Sequence, residues 1–357
     1  MILLAFAFLA VMGIYIGTNV YMAKMLLRWL GLAGRAALLW CAGYGLLAAA
    51  FFLPRLLPLP QRTERLLLLV GGIWLACYIL LLLAVPVMHG IVRGKGGPMA
   101  AVVIFALLLV YILAGVHAAS AIRTTAYTVE SAKGPEMRLA LVSDLHIGEI
   151  IGEKQVARMV EAVNRLDADY ILLAGDIFDA GPGAVADPEA IGACFARLRS
   201  RGGVYACLGN HDGGFRGQEG AAAALLEAWG VHVLQDQAAV LADLQIVGRI
   251  DRSHSRAAAS ELTAGLDPGR LTVMLDHQPF ELQQAREAGV DLLLCGHTHR
   301  GQIFPANLIT RAMYEIDYGI LRQADFTAIV SSGAGTWGPR MRVGSVCEVV
   351  SIDIRQP

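Results

Sequence analysis

Leu139-Ala140-Leu141-Val142-Ser143-Asp144-Leu145-His146 opens with four apolar residues and closes on a carboxylate and an imidazole two positions apart. A short apolar run bounded by polar residues reads as a buried strand, and the ends of such strands are where α/β architectures place their chemistry. The pattern recurs four times. Runs at 170–174, 204–208, 271–275 and 292–295 lead into Gly175-Asp176-Ile177-Phe178-Asp179, Gly209-Asn210-His211-Asp212, His277-Gln278-Pro279 and Gly296-His297-Thr298-His299. A lone Asp-x-His or Gly-Asn-His is an ordinary cap or turn. Five such fragments, each at a strand end, are not. Between them, Val156, Met159, Val160, Val163 and Leu166 form an apolar stripe at helical spacing, and 221–229 and 280–288 read likewise. These stripes are core faces. Further strands are expected at 241–247, 326–331 and 346–354, giving an α/β fold class.

The five motifs, in this order and spacing, resemble the calcineurin-like metallophosphoesterase superfamily. Two further stretches, Gly-His-Thr-His-Arg-Gly-Gln-Ile-Phe-Pro at 296–305 and Ser-Ser-Gly-Ala-Gly-Thr-Trp-Gly-Pro-Arg at 331–340, look like the bacterial membrane-anchored branch of that superfamily. The match runs from about residue 125 to 355, and no expected ligand position departs from it. The resemblance implies a four-layer sandwich, two mixed β-sheets flanked by helices. It also implies two divalent ions, for which Mn, Fe and Zn all suit a mixed carboxylate and imidazole shell. Such ions, about 3.5–4 Å apart, need a shared ligand and open positions for water and a phosphoryl oxygen. Carried onto this chain, the implied metal ligands are Asp144, His146, Asp176, Asn210, His277, His297 and His299, with Asp176 bridging. His211 is implied as a catalytic group oriented by Asp212, and the implied reaction is attack of a metal-bridging hydroxide on phosphorus. Among the arginines near the motifs, Arg249, Arg252, Arg300, Arg340 and Arg342, the two favoured for a substrate phosphate are Arg300 and Arg340.

Upstream of these motifs the composition breaks. Residues 1–123 hold nine of the 29 Lys and Arg but one acid, Glu64, of the 30 Asp and Glu. Apolar runs at about 1–23, 36–53, 66–88 and 99–120 approach the ~20 residues needed to cross a bilayer as helix. Four transmembrane helices are therefore expected over 1–120, a linker over 121–137 and the catalytic domain over 138–357. The first run lacks the basic start and small-residue cleavage site of a signal peptide, so it reads as an uncleaved anchor. His89 and His117 fall at run ends and read as boundary residues.

Sidedness is not settled by the basic loops. Lys24, Arg28, Arg35, Arg93 and Lys95 balance Arg55, Arg62, Arg65, Arg123 and Lys133. Cys194, Cys207, Cys295 and Cys347 show no disulfide or Cys-x-x-Cys pattern, which favours a reducing compartment. The expectation is a multi-pass protein of the bacterial cytoplasmic membrane with its catalytic domain in the cytoplasm.

The catalytic part keeps the other twenty basic and twenty-nine acidic residues, a poor surface for nucleic acid. The expected function is a membrane-anchored dimetal phosphohydrolase cleaving a phosphoester or pyrophosphate bond in a phosphorylated, lipid-linked substrate. A nucleotide-linked diacylglucosamine is an example by analogy alone. The competing reading is a catalytically silent membrane receptor or scaffold that binds a phosphorylated ligand. Loss of ligands would mark it, and none is lost.

Overall fold

The computed structural model describes residues 2–92, 97–214 and 217–357. The basic residues Arg93 and Lys95, counted above for sidedness, lie outside them. The chain forms two units, Met1–Val116 with Gly338–Met341, and His117–Trp337 with Arg342–Pro357.

The first unit consists of helices. Leucine-rich runs, with Glu64 in the first turn of α4 as their one acid, give α1 (Ile2–Leu30), α2 (Gly34–Ala49), α3 (Leu53–Leu56), α4 (Gln61–Val92) and α5 (Gly97–Ser120). Met22, Leu26, Trp29, Tyr44, Trp74, Leu81 and Ile104 bury one another between the helices, while Leu38, Leu39, Val102 and Val110 point outward. Apolar residues on both the inside and the outside suit helices whose solvent is lipid. Three segments, Leu9–Leu30, Arg62–Val92 and Gly97–Ser120, are long and apolar enough to cross a membrane. The run expected at 36–53 differs. Its helix α2 has 16 residues, about 24 Å at 1.5 Å per residue, short of the roughly 30 Å hydrocarbon core. Pro54, which has no N–H to give an ongoing helix, instead sits in the first turn of the separate α3.

Among the described residues, the second unit holds twelve strands in two mixed six-stranded sheets. The first is ordered β1 (Ile122–Glu130), β12 (Cys347–Arg355), β2 (Met137–Val142), β3 (Tyr170–Ala174), β4 (Val204–Cys207), β5 (His232–Val233). The second is ordered β10 (Gly319–Gln323), β11 (Phe326–Val330), β9 (Leu292–Cys295), β8 (Thr272–Leu275), β7 (Gln245–Gly248), β6 (Gln237–Val240). Side chains alternate along each strand, so β2 sends Leu139 and Leu141 one way and Ala140 and Val142 the other. Leu139 and Leu141 join Leu172, Ile246, Val273, Leu275 and Leu294 between the sheets. Ala140 and Val142 lie under α6 (Glu153–Asn164), α7 (Pro188–Phe195) and α8 (Glu219–Ala228). Val247, Met274 and Leu293 face α9 (Ala259–Thr263) and α10 (Leu282–Glu287). The result is the four-layer sandwich.

Two local expectations differ. Residues 122–130, assigned above to the linker, form β1, paired in parallel with β12 along its whole length. Their β-branched residues suit a strand, but Arg123, Thr124, Ala126 and Thr128 are exposed and give this edge strand little buried apolar surface, so no apolar run announces it. The strand expected at 241–247 is β7 alone in its second half, since the chain reverses after β6 through 241–244, where Leu241 N–H bonds Leu244 O.

Candidate metal centre

All five motifs follow strand ends of the two sheets. Asp144 and His146 follow β2, Asp176 follows β3, and Asn210 and His211 follow β4. His277 follows β8, and His297 and His299 follow β9. The backbone here is strained. Asp144, His146, Asp176, His297 and His299 all have φ between 50° and 71°, a region costly for side chains larger than glycine. Such strain, of order 1–3 kcal/mol per residue, persists only where surrounding structure enforces it, and functional sites are where it concentrates. Two glycines permit the close approach. A Cβ on Gly296 would collide with the Asp144 carboxylate, and one on Gly175 would lie 2.7 Å from His277 Nδ1.

The ligand atoms form two facing groups. Those of Asp144, His146 and His299 lie within 4.8 Å of one another, as do those of Asp176, His277 and His297. Asp176 Oδ2 lies 3.1 Å from His277 Nε2 and 3.7 Å from His146 Nε2, so one carboxylate oxygen looks at both groups. Asn210 Oδ1 and His277 Nε2 are buried with no hydrogen-bond partner.

The tautomers follow from partners that can only accept. His277 Nδ1 is 2.8 Å from Ala174 O, so it carries a proton and Nε2 is the ring atom facing Asp176. His146 Nε2 and His299 Nε2 approach to 3.1 Å, and His299 Nε2 lies 3.4 Å from Asp144 Oδ1. Buried lone pairs and carboxylates this close repel one another unless a cation sits among them. The donor set, the orphaned atoms and the shared Asp176 oxygen therefore fit divalent metal.

Charges act on the groups in both directions: burial lowers His146 and His277, but the carboxylates beside them, Asp179 and Asp176 for His146 and Asp176 for His277, raise both overall. Burial works against an ionised Asp176, but His277 and His146 overcome it and hold that carboxyl far below its ordinary range. Burial, then neighbouring His146 and Arg342, hold the His299 imidazole neutral, the form a metal requires. His297 is lowered to about 4 by burial and by His277.

His211 stands beside the first group, its ring 5.0 Å from that of His146 and 5.9 Å from that of Trp337. Its orienting partner is not the expected Asp212. His211 Nδ1 lies 2.8 Å from the carbonyl oxygen of Asp179. Both oxygens of Asp212 accept backbone N–H groups instead, from Phe178 and Gly209 at 2.7 Å each. Asp212 thus fastens the His211 loop to the Asp176 loop, and burial followed by Asp176 pushes its carboxyl up to about 7.

The arginines divide by role. Arg300 lies over the Tyr318 ring at 4.5 Å and lines a cleft of about 470 Å³ with Asn307, Arg311 and Tyr314. That cleft adjoins the centre, since the Tyr314 ring is 6.3 Å from that of His297. Arg340 groups with the helical unit. Arg249 pairs with Asp276 and Glu281 at 2.9 and 3.0 Å, and Arg252 caps the Phe280 ring. Arg342 is buried and donates to the backbone oxygens of His299 and Gly335 at 3.2 and 2.7 Å. It therefore holds a ligand loop. Arg342 and Asp179, whose Oδ1 is 3.3 Å from His146 Nδ1, are the supporting residues whose roles sequence reasoning missed. The signal for Asp179 was its place three residues after Asp176.

Two stacked mixed sheets with a carboxylate and imidazole centre at their strand ends define a metallophosphoesterase. The calcineurin-like phosphoesterase family model matches residues 137–301, and the chain belongs to that family. An uncharacterized metallophosphoesterase of Aquifex aeolicus is 30% identical over 246 residues, covering 66% of this chain and 92% of the relative. A zebrafish (Danio rerio) transmembrane protein with metallophosphoesterase domain is 29% identical over 278 residues, 72% of this chain and 62% of the relative. An uncharacterized metallophosphoesterase of Helicobacter pylori is 28% identical, with 60% and 58% covered. The chain thus spans about three fifths of the latter two.

Proposed function

We propose that this chain is a membrane-anchored dimetal phosphohydrolase that cleaves a phosphoester or pyrophosphate bond in a lipid-linked substrate. The observation that carries the reading is the pair of ligand groups facing one another across Asp176 Oδ2. Asp144, His146, Asp176 and His299 would hold one ion, and Asp176, Asn210, His277 and His297 the other. When bound, the ions lower the pKa of water and clamp the phosphoryl oxygens.

The chain's own groups do the rest. The Ala174 carbonyl and Arg342 orient ligand rings. His211 Nδ1–H donates to the Asp179 carbonyl, so in the doubly protonated ring the Nε2–H is the one that would pass to the leaving oxygen, the ring ending neutral with its proton on Nδ1. Arg300 and Arg311 place positive charge in the adjoining cleft, where a second phosphate or a headgroup can be held. The lipid-linked class is favoured because an enzyme tied to a bilayer gains local concentration only on substrates that live there. A nucleotide-linked diacylglucosamine meets that description by analogy.

The test is turnover of a generic aryl phosphodiester by the detergent-solubilised full chain as metal is removed and returned. Hydrolysis that vanishes with chelation and returns with Mn or Zn supports the enzyme. Binding of a phosphorylated ligand without turnover at full metal loading would establish the silent receptor.

We place the catalytic unit in the cytoplasm. Cys41, Cys77, Cys194, Cys207 and Cys295 are free thiols, the last four of them buried, so nothing in these thiols asks for an oxidising compartment. A fluorescent protein that requires cytoplasmic folding, fused after Pro357, should be bright. An exported alkaline phosphatase fusion that is active instead would reverse the placement and move the substrate to the outer leaflet.

A further inference from the structure

The segment immediately after the last metal motif is built inside out. Helix α11 (Ala306–Met313) follows Phe304-Pro305, and at 100° per residue Leu308, Ile309, Ala312 and Met313 share one arc while Asn307, Thr310 and Arg311 share the other. In a soluble protein the apolar arc faces the core. Here the polar arc does. Thr310 Oγ1 donates to Asp317 Oδ2 at 2.6 Å, and Asn307 Oδ1 is buried. Asn307 backbone also packs so closely on Gly301 that a Cβ there would collide with it. The apolar arc is outside, with Leu308 55%, Ile309 60% and Met313 60% exposed.

Two neighbouring residues extend that face. Phe304 is 47% and Trp337 54% exposed. The amide of Gln302, two residues before Phe304, holds the Trp337 backbone, donating to Trp337 O at 2.8 Å and accepting from Trp337 N at 3.0 Å. Among the described residues of the catalytic unit, these five are all but one of the exposed large hydrophobic side chains, Val240 being the other. So concentrated a patch calls for a partner.

We infer that α11, Phe304 and Trp337 form an interfacial element that lies in the headgroup region of the bilayer to which this chain is anchored. Three lines select a bilayer as the occupant. The same chain carries three helices able to cross one, and a single residue, Ala121, separates the end of α5 from the start of β1, so the catalytic unit follows a membrane-type helix with almost no spacer in the chain. An amphipathic helix with its apolar arc outward and an arginine on the polar side is the form that inserts shallowly, the guanidinium of Arg311 reaching up to anionic headgroups while its stem stays in the apolar layer. An exposed tryptophan at the rim of such a patch matches the preference of indole for the membrane–water boundary.

The consequence concerns access. The apolar rim and the metal centre share one side of the unit, because Trp337 packs by His211 and α11 packs on the loop carrying His299. A lipid headgroup would then enter the Arg300 and Arg311 cleft directly from the bilayer. The inference does not depend on the substrate class proposed above.

The experiment uses the full chain in vesicles of phosphatidylethanolamine and phosphatidylglycerol. Nitroxides are placed at Leu308→Cys or Ile309→Cys, with Val240→Cys as an exposed reference on β6, all in a Cys41→Ser background because Cys41 is the one exposed native thiol. At 308 and 309, collisions with oxygen should exceed those with a water-soluble nickel chelate, and the chelate collisions should be several-fold fewer than at 240. Chelate access at 309 equal to that at 240 would overturn the inference. So would spin–spin broadening at 308 and 309 that disappears on dilution with unlabelled chain, since the face would then be covered by a second copy.

Discussion

Asp176→Asn should empty the centre. The substitution keeps the shape of the side chain, and Oδ1 can still accept the His211 N–H that it holds at 2.9 Å. What changes is the oxygen that faces both ligand groups. An amide nitrogen placed there carries hydrogens toward His277 Nε2 and His146 Nε2 and has no lone pair for either ion. The negative charge that balances two dications is lost as well. Bound metal should therefore fall toward zero rather than by one ion, and turnover of an aryl phosphodiester should fall by several orders of magnitude. Mass spectrometry of the desalted protein reads the metal, and circular dichroism shows that the sandwich persists. Two ions retained at full occupancy in the mutant would remove Asp176 from the bridging position.

His211→Ala should have the next largest effect and a different signature. If the ring acts by proton transfer from Nε2, both ions stay and the rate drops by roughly 10²–10⁴, the range a positioned general acid supplies. The loss should shrink as the leaving group improves, because a good leaving group needs no proton. The discrimination is sharp because His211 also lies within ligand distance of His146 and Asp179. A mutant that loses an ion, with a penalty independent of the leaving group, would place His211 in the coordination shell.

The sequence makes the centre legible because its ligands are polar residues at the ends of apolar runs, and strand ends are where a sandwich must expose its chain. The ligand atoms of Asp144, His146 and His299 come together, as do those of Asp176, His277 and His297, and Asn210 Oδ1 is buried without a hydrogen-bond partner. The supporting groups are hidden, because their roles depend on neighbours distant in sequence. Asp212 stands beside His211 yet serves the backbone of Phe178, 34 positions away. Arg342 looks like any surface arginine until it is found buried against His299. Edges are the other blind spot. β1 gains its stability from pairing with β12 more than from an apolar face, so its pattern resembles a connector. Hydropathy likewise finds apolar runs without measuring whether a proline will cut one short, as at Pro54. The pattern of α11 would by itself predict a core helix, and only the three-dimensional fold reveals which arc faces out.

The claim on which the account rests is that two ions share this centre and that hydrolysis needs both. Titrating the metal-free full chain with Mn or Zn, while following both bound metal and hydrolysis of an aryl phosphodiester, tests it most directly. The account predicts that turnover rises with loading and reaches its plateau at two equivalents per chain. A plateau at one equivalent, or hydrolysis that survives complete removal of metal, would contradict it.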